Sequence, residues 1–171
     1  TTNGGIAFAD SADTIQTAGG AINLLAAGAG SLTNIGHLTS GGGAVTLQSE
    51  GAGGTMVGGL DVTGGAVTVT GAGDLALSGV ISGVGTGVTK NGLGALTLSG
   101  LNSYTGATTL NAGTLRATGN DNALGTGALM LNGGTLSLVG DVGLNLGRPT
   151  TVSGNATIVS DRATLGAAVT H

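Results

Sequence analysis

Short runs of strict alternation recur along this sequence. Val45 and Leu47 flank Thr46, Val67 and Val69 flank Thr68, Leu96 and Leu98 flank Thr97, and Leu136 and Leu138 flank Ser137. An apolar–polar period of two sends every second side group to the same side of an extended backbone. Each run therefore predicts a short strand with one buried face. Arg116 falls in the outward phase after Leu115, as a charge should, and Val159 falls there as a small misfit.

The runs are joined by a repeated corner: an apolar residue, a few small or polar residues rich in glycine, then another apolar residue. It reads Val62-TGGA-Val67, Leu110-NAGT-Leu115 and Leu131-NGGT-Leu136, with looser versions from Leu38 to Val45 and from Val152 to Ile158. The second apolar member of each corner sets a register of Ile22, Val45, Val67, Val88, Leu115, Leu136 and Ile158, with spacings of 23, 22, 21, 27, 21 and 22. The spacing of 27 predicts one longer coil, with its surplus at residues 99–106 around Tyr104. LALSG at 75–79 and LTLSG at 96–100 repeat the interval of 21.

A fixed period near 21 suits a polypeptide that completes a circuit and lands on itself, with equivalent residues stacked in parallel. The predicted fold is all-β: a single-stranded parallel β-helix of about seven to eight coils of about 21–22 residues, running over 1–171 as one segment. Seven coils at about 4.8 Å each give a rod near 34 Å. A β-propeller fits less well, because its blades need about 40–50 residues. The seven register positions are the expected structural ladder.

Composition sharpens this picture. Of 171 residues, 38 are glycine, and the only large aromatics are Phe8 and Tyr104. Interior glycine costs a helix about 0.8–1.0 kcal/mol relative to alanine, which argues against helices. Charged residues make up only 7% while hydrophobic residues make up 40%, the reverse of a disordered protein. Lys90, Arg116, Arg148 and Arg162 are isolated and the net charge is −4, so no nucleic-acid partner is expected. Residues 14–49 contain no Asp, Glu, Lys or Arg, yet glycines, Gln16, Asn23 and Asn34 interrupt them, so a spanning helix is rejected. Cysteine is absent, which fits export, and with no start methionine or signal peptide the sequence reads as an excised segment.

One stretch is more specific than the rest. The run GVTKNGLGALTLSGLNSYTGATTLNAGTLRA at 87–117 resembles the autotransporter-associated β-strand repeat of bacterial passenger regions. LSGVISGVG at 77–85 and ALGTGALMLNGGTLSL at 123–138 resemble its flanks, so the clearest match covers 77–138. The resemblance implies a right-handed β-helix, secreted or held at the surface of a Gram-negative bacterium. It carries over no catalytic residue.

Candidate chemistry is sparse. Tyr104, on the expected longer loop, is the one candidate ligand contact, against packing over the coil edge as part of the repeat. Asp74 in GAGDL evokes calcium-binding solenoids, but a single carboxylate does not supply six to eight oxygens. The other acids (Asp10, Asp13, Glu50, Asp61, Asp121, Asp141 and Asp161) sit mainly in turns, without the cleft or stacking aromatics of a glycosidase. Asp121 lies in the GNDN loop, where an Asx turn accounts for it. His37 and His171 lack metal-spaced partners, and GTGVTKNGLG lacks the order of a phosphate loop. Outward Thr46, Thr68, Thr70 and Thr97 do not form the regular array of an ice-binding solenoid.

No cofactor, metal or catalytic residue is expected. The reading is a non-enzymatic stalk whose partners are the adjacent coils of its parent protein. An adhesin or self-associating surface that binds a host ligand is the alternative, and a carbohydrate-active enzyme comes third. Open strand edges at the rod's ends predict covering elements or end-to-end contacts there.

Overall fold

The computed structural model describes residues 6–7, 13–52, 54–56, 58–140 and 145–161. They form a parallel β-solenoid of about seven turns. One sheet has seven strands: Ile22–Ala26, Val45–Ser49, Ala66–Thr70, Gly87–Lys90, Thr108–Leu110, Leu129–Leu131 and Thr150–Val152. A second has six: Gly54–Met56, Leu75–Leu77, Ala95–Leu98, Thr114–Thr118, Gly134–Val139 and Ala156–Asp161. A third has four: Thr14–Gln16, His37–Thr39, Leu60–Asp61 and Ile81–Ser82. Ile6–Ala7 pairs separately with Leu32–Thr33. The circuits from His37 to Leu98 visit the four-, seven- and six-stranded sheets in that order, those beyond visit only the last two, and every strand pairing is parallel.

The alternation places side groups as its phase demands. Val45, Leu47, Val67, Val69, Leu96, Leu98 and Leu136 are buried, while Thr46, Thr68, Thr97 and Ser137 between them are only partly so. Leu138 is less enclosed than the alternation predicts, and Val139 is the buried residue at the end of that strand. Filling one such aliphatic site contributes about 1.5–3 kcal/mol, against about 1–2 kcal/mol to order each residue's backbone. Glycine corners bring no side group to the interior, so the stability of the rod depends on every rung being filled.

The seven register positions divide between two columns rather than forming one. Ile22, Val45, Val67 and Val88 pair in succession within the seven-stranded sheet. Leu115, Leu136 and Ile158 pair in succession within the six-stranded sheet, below Leu96 and Leu75. Val88 is followed in its own column by Thr108, 20 residues on, and then by Leu129 and Thr150. The apparent 27-residue coil is therefore a step from one sheet to the next. The same corner chemistry serves two bends: Val62–Val67 leads into the seven-stranded sheet, whereas Leu110–Leu115 leads out of it. Thr108 concealed the true column because it is a polar residue at an inward position, 1% exposed. Ile158 is 54% exposed, in the outermost strand of its sheet among the described residues.

The expected end-covering elements fall on residues 1–5, 8–12 and 162–171, outside the described residues, as do Asp10, Asp141, Arg162 and His171.

Candidate functional site

The four-stranded sheet stops at Ile81–Ser82, and what replaces it is the most elaborate polar arrangement in the rod. Asn102, 2% exposed, takes the place of a peptide unit. Its Oδ1 accepts from the Ile81 N–H at 2.8 Å and its Nδ2 donates to the Ala123 carbonyl at 2.6 Å. One side-group amide thus bridges three coils where a strand would otherwise supply the ladder.

Two residues on, Tyr104 turns inward and is 0% exposed. The expected ligand contact needs an accessible ring, and this ring has none. No surplus loop exists to display it, because the coil that carries it is not extended. Its hydroxyl lies 2.6 Å from Thr108 Oγ1, and Thr108 donates to the Leu124 carbonyl at 2.8 Å. The single proton of threonine is used on Leu124, so Tyr104 donates to Thr108. The ring rests on Gly125, where a Cβ would come within 2.4 Å of it. Burial pushes the Tyr104 pKa up to about 12, opposed by the Thr108 hydrogen bond and the charge of Arg148.

Arg148 closes this region on the next coil. Its Nη1 donates to the carbonyls of Leu124 (2.8 Å) and Gly125, its Nη2 to that of Asp121 (2.8 Å), and its Nε to that of Leu146 (2.7 Å). A shallow, polar depression of about 220 Å³ opens beside it, lined by Asp121, Asn122, Thr126, Asn145, Leu146, Gly147 and Arg148. The guanidinium is spent on carbonyls that would otherwise lack a strand partner.

Lys90 plays a similar part at another corner. It pairs in register with Val69 and Leu110 and is 2% exposed, so its stem fills an aliphatic rung. Its Nζ donates to the carbonyls of Asn91 (2.6 Å), Gly92 (2.8 Å) and, more distantly, Ala112 (3.5 Å). Burial lowers its pKa, opposed by the charge of Asp74. By composition alone Lys90 reads as an isolated cation. Its inward position in the alternation, immediately before the Asn-Gly corner, is the signal that marks it as buried.

The turn carboxylates also work between coils. Glu50 Oε2 accepts from the Ala72 N–H at 3.0 Å, Asp74 Oδ1 from Ala95 N–H at 2.7 Å and Asp121 Oδ1 from Asn145 N–H at 2.8 Å. The bonds from Ala72 and from Gln48 hold Glu50 below the usual carboxylate range. Asn122 N–H donates to Asn120 Oδ1 at 3.0 Å, so the Asx turn of the GNDN loop is made by Asn120 and not by Asp121, whose carboxylate reaches Asn145 instead. His37 lies in a strand of the four-stranded sheet, with its ring close to Gly59 of the next coil. Among the described residues no three His, Cys, Asp or Glu side groups gather as metal ligands, and no helix is long and apolar enough to cross a membrane.

Most of the polar groups singled out above reach the coil above or below, while Tyr104 bonds within its own coil and Lys90 chiefly to its own corner. Similarity to known proteins agrees with that arrangement. Residues 88–117 match the family model described as the passenger-associated-transport-repeat. This protein therefore carries an autotransporter passenger repeat. No curated protein and no solved structure shows significant similarity to it. The matched repeat begins in the strand Gly87–Lys90 and ends in Thr114–Thr118, and contains Lys90, Asn91, Asn102, Tyr104, Thr108 and Asn111. Of these, Asn91, Asn102, Thr108 and Asn111 tie one coil to the next, while Tyr104 and Lys90 fill the interior. A repeat of this kind inside a parallel β-solenoid is consistent with a passenger domain.

Proposed function

We propose that the protein is a structural stalk segment of an exported bacterial passenger, holding other regions of its parent away from the cell surface. Each finished coil offers a strand edge and turn acceptors to the next, so folding proceeds coil by coil. The observation that carries this reading is that Asn91, Asn102, Thr108 and Asn111 of the matched repeat are all committed to neighbouring coils. The association of the repeat with passengers supports a secreted or surface location.

A stalk tolerates loss of a whole circuit but not of part of one. Val67 and Val88 occupy equivalent positions in their column, so excising residues 67–87 lets Val88 stack on Val45. The parent passenger should still be displayed, with its reach shortened by about 4.8 Å. Excising 67–76 alone should abolish display, because half a circuit is lost and the strands that follow no longer reach the sheets they pair in. Surface labelling of whole cells separates the outcomes, and equal display from both deletions would contradict the stalk.

One observation favours adhesion or self-association as a second reading. Thr46, Thr68, Thr89 and Thr109 form a continuous uncharged column on the outer face of the seven-stranded sheet. Under that reading Thr46→Asp and Thr68→Asp reduce concentration-dependent assembly, while Thr97→Asp on the six-stranded sheet does not. Sedimentation that is unchanged in all three removes it.

A further inference from the structure

The bend from the seven-stranded to the six-stranded sheet makes two demands on adjacent residues. The first must carry a polar side group that reaches along the rod axis. Asn111 Nδ2 donates to Asn91 Oδ1 at 2.7 Å, Asn132 Nδ2 to Asn111 Oδ1 at 2.8 Å, and Ser153 Oγ to Asn132 Oδ1 at 2.5 Å. The second residue must pass close to the backbone of the preceding coil. A Cβ at position 92 would lie 2.4 Å from the Gly71 carbonyl oxygen, and one at 133 would lie 2.7 Å from that of Asn111. Both conditions coincide as Asn-Gly at 91–92 and 132–133, whereas the intermediate rung, Asn111-Ala112, meets only the first and accepts a Cβ.

Asn-Gly is the dipeptide most prone to spontaneous deamidation, because glycine has no side group to shield its nitrogen from the asparagine amide carbon. We propose that Asn91 and Asn132 are deamidation sites created by the coil geometry and held in check by the asparagine ladder. In the reaction the glycine nitrogen gives its proton to solvent base and bonds to the asparagine Cγ. The Cγ–Nδ2 bond breaks and ammonia leaves. Water then opens the succinimide at either carbonyl, giving aspartate or isoaspartate.

Ring closure requires Cγ to swing away from the adjacent coil and onto its own backbone, so the ladder bonds must open first. Isoaspartate inserts a methylene into the backbone at a corner whose neighbours are set residue by residue. A polypeptide that lingers unfolded therefore loses its ability to stack, while a coiled one is preserved.

The test is peptide mapping by mass spectrometry of the 171-residue protein, incubated at mildly alkaline pH with and without urea. In urea, Asn91 and Asn132 should convert at similar rates, well ahead of Asn111. In the folded protein both should slow about tenfold or more, the protection expected of groups that react only after local opening. Ser153→Ala should speed conversion at Asn132 and leave Asn91 unchanged, with the circular dichroism spectrum retained. Asn111→Ala should speed both. Equal rates in the folded and urea-treated protein, or folded rates indifferent to both substitutions, would overturn the proposal.

Discussion

Replacing Leu136 by aspartate is expected to unfold the coils around it, whereas aspartate at the adjacent Ser137 is expected to be nearly neutral. Leu136 is 0% exposed and stands between Leu115 and Ile158 in the inner column of the six-stranded sheet. Truncating it alone costs about 2–5 kcal/mol. A carboxylate in its place has no donor within the aliphatic column, so a desolvation penalty of several kcal/mol adds to that. The sum rivals the roughly 5–15 kcal/mol that holds a typical domain together. Ser137 faces outward and pairs with Arg116 in the preceding strand of the sheet, so an aspartate there gains an opposite charge across the strands. Thermal melts of the two variants check the prediction. Equal losses would mean that the inward and outward phases have been exchanged.

Tyr104→Ala should be the most damaging substitution within the matched repeat. The ring is completely buried, and truncating an aromatic core residue costs about 3–5 kcal/mol. Tyr104→Phe keeps the ring and removes one hydroxyl that donates to Thr108, which should cost about 0.5–1.5 kcal/mol. The ratio of the two losses distinguishes an interior wedge from a surface contact, because a surface tyrosine would give small and similar values. Alkaline titration gives an independent readout, since this is the only tyrosine and tryptophan is absent. The folded pKa of about 12 lies above the ordinary value of 10.0. A phenol whose pKa is raised by folding stabilises the fold fully below its unfolded pKa. That contribution drains away as pH rises from about 10 to about 12. Phenolate absorbance should therefore stay low at about pH 10 in the folded protein and appear at that pH once urea is added. A folded protein that titrates like free tyrosine would place the ring in solvent.

Much of this architecture was legible in the residues, because it depends on short-range chemistry. Alternation at Val45–Leu47, Val67–Val69 and Leu96–Leu98 determined which side groups face inward, since a strand's geometry leaves no other phase. The recurrence near 21 residues determined that coils stack in parallel. The N-x-YTG and NAGTL signatures marked the repeat that the family model matches at 88–117.

What a corner leads to was not legible. The bends after Val62 and after Leu110 use the same small, glycine-rich chemistry, because both need only a tight turn. Whether the next strand joins the seven-stranded or the six-stranded sheet depends on what lies above and below it. Thr108 reads as a polar break in a ladder until Tyr104, brought inward by the tertiary fold, occupies its hydroxyl. Lys90 reads as a surface charge until the Asn91, Gly92 and Ala112 carbonyls converge on its ammonium. Sequence by itself determined the period, the phase and the parallel stacking, through alternation within each strand and the recurrence of one corner. Only the tertiary structure decided the division into sheets and the burial of Tyr104 and Lys90. Those depend on contacts between neighbouring coils, and the alternation, which put Lys90 in the inward phase, does not supply the carbonyls that make its burial possible.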